Sequence, residues 1–131
     1  MIFDIDTINE KADIILLDDN FKEIGRKSIS DKFQVAEKVL PVADELMEEH
    51  GCNLSMVSAI LVNLGPGSYT GQRIGVTTAN LIAFSLSIPV VGYKNNERNT
   101  TINLLKRDGI DQKFSLVAPL YSSAPTITKK C

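Results

Sequence analysis

Residues Leu61 to Phe84, LVNLGPGSYTGQRIGVTTANLIAF, constrain the chain more than any other stretch. An apolar run ends at Leu64, a glycine-rich turn follows, and a long apolar-periodic segment starts at Gly71. That order predicts strand, tight loop, helix. Gly65, Gly67 and Gly71 admit positive φ or a close approach that a side chain would block. Ser68 or Thr70 is placed to cap the free N–H groups of the helix. A glycine loop opening a helix suggests a phosphate site.

The helix that follows carries two apolar arcs. Gly75, Val76, Ala79, Ile82, Ala83 and Leu86 share one, and Ile74, Leu81 and Phe84 share the other. Arg73 and Asn80 separate them on one side, Thr78 and Ser85 on the other. A surface helix needs one arc, so two imply a helix sandwiched inside the domain or against another protein. The small residues Gly75, Ala79 and Ala83 recur every four positions and permit close approach on their face.

Upstream, Met1 to Thr7, Ala12 to Leu17 and Phe21 to Ile29 read as three strands joined by short polar turns, an antiparallel meander with the third strand at an edge. Ser30 or Asp31 is the expected cap of a helix running to Glu49 and closed by His50-Gly51. Its apolar side, including Val35, Val39, Val42, Ala43 and Leu46, is wider than packing on one surface requires. Pro41 falls on its polar side. Leu54 to Ser58 is a short helical or turn segment and Ala59 to Leu64 a strand. Ile88 to Tyr93 reads as a strand parallel to it, Asn95 to Arg107 as a polar helix, and Phe114 to Leu120 as a last strand. These elements make an α/β domain with a mixed sheet. At 131 residues the chain has room for one domain.

Composition excludes several function classes. The net charge of −2 offers no clustered basic surface for autonomous binding to nucleic acid. No apolar run reaches the ~18 residues of a membrane span. Cys52 and Cys131 follow no metal or redox spacing, the usage of a cytoplasmic protein with reduced thiols. His50 is the only histidine, so no paired-histidine metal motif forms, and its place at a helix end suits a cap. GPGSYTG is neither a nucleophile elbow nor a P-loop, lacking the lysine of the latter. Asp6 and Thr7 end the first strand, where a carboxylate can hold a hydrated metal near phosphates; the alternative is a strand-end turn with Asp6 accepting local backbone bonds.

The segments FDIDT, VLPVADEL and, above all, NLGPGSYTGQRIGVTTANLIA resemble the TsaB (YeaZ) family, whose loop usually reads GPGSFTGLRIG. Tyr69 and Gln72 depart from that pattern, and the similarity covers residues 1–93. The resemblance implies an actin-like, Hsp70-like, ribonuclease-H-like lobe over residues 1–121, with 122–131 as a tail. The family has two lobes and this chain has room for the first. LVAPLY resembles the family's C-terminal end, so the resemblance implies a streamlined protein without the second lobe. It further implies a non-catalytic partner of TsaD in making N6-threonylcarbamoyladenosine on tRNA, with the ATPase TsaE joining the complex, ATP and magnesium used by the complex, and tRNA met only indirectly. No metal is expected on the chain itself. The expected interface, with TsaD or a second copy, is Val35, Val39, Val42, Ala43 and Leu46 of the first helix with Arg73, Gly75, Val76, Ala79, Asn80, Ala83 and Leu86 of the second. The competing reading is a nucleotide-binding, ATPase-like enzyme that uses Asp6, Thr7 and the loop residues Gly65, Gly67, Ser68, Thr70 and Gly71.

Overall fold

A computed structural model describes residues 1–9, 11–31, 34–67, 69–113 and 115–120. The elements follow as β1 (Ile2–Asp6), β2 (Ala12–Leu17), β3 (Glu23–Ile29), α1 (Val35–Glu49), a 3-10 turn (Leu54–Met56), β4 (Ala59–Asn63), α2 (Tyr69–Leu86), β5 (Val90–Tyr93) and α3 (Arg98–Asp108). The sheet order is β3-β2-β1-β4-β5. β1 and β2 pair antiparallel, as do β2 and β3, while β1, β4 and β5 run parallel. The expected meander and edge strand are both present.

Strand alternation sorts the side chains onto two faces. Phe3, Ile5, Ile14, Leu16, Ile60 and Val62 point to the face covered by α1 and α2. Ile2, Ile15, Leu17, Leu61 and Tyr93 point to the other, where α3 contributes Ile102. β2 and β4 are therefore buried on both sides, which explains their uninterrupted apolar runs.

Three local expectations change. The first helix begins at Val35 with Gln34 as its cap residue and no side-chain cap, so neither Ser30 nor Asp31 holds that position. Pro41 lies exposed within α1 without ending it. α2 begins at Tyr69, which puts Thr70 inside the first turn rather than at the cap; Ser68 lies outside the described residues. Residues 115–120 add no strand to the sheet. Their backbone bonds instead to side chains of α2, and Leu120 N–H donates to the Leu64 carbonyl. The boundary expected at residue 121 also lies outside the described residues.

Candidate functional site

The carboxyl ends of β1 and β4 meet the glycine loop and the first turns of α2, the position where open α/β sheets place their ligands. Asp6 is half-buried there, and its carboxylate accepts from Ile8 N–H at 3.1 Å, Asn9 Nδ2 at 3.2 Å and Asn63 Nδ2 at 3.2 Å. Asn63 Nδ2 also donates to Asn95 Oδ1 at 3.1 Å, and Asn63 Oδ1 accepts from Gly65 N–H at 2.9 Å. Asp6 thus accepts local bonds at the end of its strand.

The loop is packed, not open. Gly65 has φ +91° and its peptide bond to Pro66 is cis. A Cβ at Gly65 would overlap the carboxamide of Gln72, and one at Gly67 would overlap Ile8 Cγ2. Thr7 is buried, donates its hydroxyl to the Gly71 carbonyl, and fills the space in front of Gly75. The side chains of Thr7, Ile8 and Gln72 occupy the space next to these glycines. Among the described residues, no three His, Cys, Asp or Glu side chains gather where they could hold a metal ion.

The expected interface divides. Val35, Val39, Ala43 and Leu46 of α1, and Gly75, Val76, Ala79 and Ala83 of α2, are buried within this chain. The small residues let α2 approach its own sheet, so a partner cannot touch them in this state. Val42 and Leu86 are half-buried against the core and Arg73 is exposed. Asn80 is half-buried and bonds to Val117. The second arc of α2 faces outward, with Leu81 57% and Phe84 68% exposed, and Leu40 of α1 is 50% exposed. Between the helices lies an apolar cleft of about 290 Å³, floored by Phe3, Ile5 and Ile14 and walled by Leu40, Met47, Leu54 and Ile82.

On the opposite face sits a network whose members sequence reasoning did not connect. Asp4 is wholly buried, accepting from Tyr93 Oη at 2.8 Å and from Arg98 Nε. Burial pushes its carboxyl above the ordinary value, against the pull of Arg98 and Tyr93. Burial and the neighbouring Asp4 push the Tyr93 hydroxyl up as well. This network ties β1 to β5 and α3. An acidic residue at an apolar position of a central strand was its only signal. His50 closes α1, with Nδ1 2.9 Å from the Leu46 carbonyl oxygen.

Residues 32–124 match the family described as TsaD, tRNA N6-adenosine threonylcarbamoyltransferase. The chain belongs to that family. Curated relatives are named tRNA threonylcarbamoyladenosine biosynthesis protein TsaB. The Haemophilus influenzae protein is 38% identical over 58 residues, 44% of this chain and 25% of its own length. The Escherichia coli protein is 27% identical over 96 residues, 70% of this chain and 38% of its own. The chain thus spans well under half the length of these relatives. Among solved structures, an uncharacterized protein with similarity to peptidase YEAZ from Pseudomonas aeruginosa superposes with a TM-score of 0.65 at 30% identity, over 71% of this chain and 42% of that one. YeaZ from Pseudomonas aeruginosa gives 0.61 at 28%, over 76% and 51%. The TsaB (YeaZ) resemblance read from the glycine loop holds, and so does the fold class it implied. Among the described residues, no helix is long and apolar enough to cross a membrane.

Proposed function

We propose that this chain is a non-catalytic subunit that docks a TsaD-like catalytic partner in the formation of N6-threonylcarbamoyladenosine on tRNA, in the cytoplasm. The observation that carries the reading is the apolar cleft between α1 and α2 with Leu40, Leu81 and Phe84 exposed on the two helices. Apolar surface of this kind gains about 25 cal/mol for each Å² that a partner covers, and exposed apolar patches mark such contacts. The family membership and the TsaB names of the relatives support the choice of a TsaD-like partner. The interface is the outer ridge of the two helices, because the small-residue face is occupied by the chain's own sheet. ATP and magnesium act elsewhere in the complex, with a TsaE-like ATPase, since Thr7, Ile8 and Gln72 crowd the glycine loop here. A second copy of the chain uses the same ridge when the partner is absent, and tRNA is met only through the complex.

Mixing the chain with its cognate TsaD-like subunit should give a one-to-one complex by light scattering. The double substitution Leu81→Asp, Phe84→Asp should abolish it while the circular dichroism of the free chain stays unchanged. A complex of undiminished mass with that variant overturns the interface, and no complex with the wild-type chain overturns the proposal. Isothermal titration with ATP and magnesium should be silent for the chain alone.

A further inference from the structure

Residues 115–120 lie outside every helix and strand, yet side chains hold their backbone as a neighbouring strand would. Asn80 Nδ2 donates to the Val117 carbonyl at 2.9 Å, and Val117 N–H donates to Asn80 Oδ1 at 3.1 Å. The carboxamide thus pairs with both polar groups of one residue, as a peptide unit does in a sheet. Two turns earlier on α2, Gln72 Nε2 donates to the Leu120 carbonyl and also to the Leu64 carbonyl at 3.1 Å. Leu120 N–H donates to that same Leu64 carbonyl at 2.8 Å. Val117 opposite Asn80 and Leu120 opposite Gln72 fix the direction of the segment, antiparallel to α2. Val117 packs against the main core.

Gln72 is the shared part. Its side chain is 1% exposed, and a long polar side chain buried in an apolar arc is stable only with its partners in place. The same carboxamide lies against Gly65, where a Cβ would overlap it. One side chain therefore holds the end of the C-terminal segment, the exit of β4 and the first glycine of the loop. Removing the segment leaves Gln72 with a lost acceptor and the Leu64 carbonyl with a lost donor.

We infer that residues 115–120 form a latch that the chain closes on its own glycine loop, with Asn80 setting its register and Gln72 transmitting its state to the loop. Closure of the latch and order of the loop rise and fall together. This inference is independent of which partner covers α1 and α2.

Amide hydrogen exchange by NMR on the full chain tests it. In the wild type, the Val117 and Leu120 amides and the side-chain amide protons of Gln72 and Asn80 should exchange slowly. Val117→Pro deletes the N–H that Asn80 accepts, in a segment outside the sheet and helices. It should lower protection at Leu120 on the order of tenfold. The same loss should reach Gly65 N–H, which bonds to Asn63, and Asn95 N–H, which bonds to the Gly65 carbonyl. Asn80→Leu removes the same pair from the helix side and should give the same pattern. Unprotected Val117 and Leu120 amides in the wild type overturn the latch, as does undiminished Leu120 protection in both variants. Wild-type protection at Gly65 and Asn95 with Leu120 released overturns the coupling.

Discussion

The two faces of the sheet are closed by opposite means. On the α1 and α2 side the contacts are almost wholly apolar, from Phe3 and Ile14 to Ala79 and Ala83. On the α3 side a smaller cluster is joined by a buried carboxylate held between a tyrosine and an arginine. Apolar packing is non-directional and tolerates surplus, so the first face leaves apolar residues over on its outer ridge. A buried charge tolerates none, because every lone pair must be matched. The first face can therefore serve a partner as well as the fold, and the second serves the fold.

Ala79→Arg should break the comparison most severely. Ala79 is fully buried where α2 lies against the sheet, and a guanidinium there has neither space nor partner. A loss above about 4 kcal/mol, read as failure to fold in a urea titration, is expected. Asp4→Asn comes next, at about 2 kcal/mol, because the amide NH2 cannot accept, so that one of the two donors, Tyr93 Oη or Arg98 Nε, loses its acceptor. Its cost should depend on pH with a definite sign. The folded pKa of Asp4 lies above its ordinary value of 3.8, so the folded state holds the proton more firmly. The Asp4 contribution is complete below that ordinary value and declines as pH rises through the folded one. The stability gap between wild type and Asp4→Asn should narrow over that rise; a gap that widens refutes the assignment. His50→Ala should cost about 1 kcal/mol in the same titration, through the bond to the Leu46 carbonyl. Leu81→Asp, at a position 57% exposed, should stay within about 0.5 kcal/mol of wild type, sharpening the contrast between the outer ridge and the face that folds.

Much of this was legible in the sequence where one pattern had one meaning. Alternating or continuous apolar runs between polar turns placed the meander, β4 and β5, and the order strand, tight loop, helix around the glycines holds. The choice between the two arcs of α2 was not legible, since both are apolar over the same length. The small residues that suggested a partner's approach serve the chain's own sheet instead. Residues 115–120 have the composition of a strand, but their hydrogen bonds go to Asn80 and Gln72, and a ladder made by side chains leaves no periodicity. Gln72 left one trace, a polar residue within an apolar arc where the related loops carry leucine. Asp4 and Arg98 stand 94 positions apart, and nothing local connects them.

The sheet order has a consequence for how the chain is built. β1 is the central strand, flanked by β2 and β4. Its pairing with β2 closes a short loop, whereas its pairing of Ile2 with Ala59 spans most of the first half of the chain. Loop closure favours the near partner first. During synthesis the hairpin of β1 and β2 is thus available early, with the other edge of β1 bare until β4 emerges. An unpaired edge lined by Ile2, Phe3 and Ile5 invites pairing with other chains. The interval between those two events is when this part of the sheet is most exposed to aggregation.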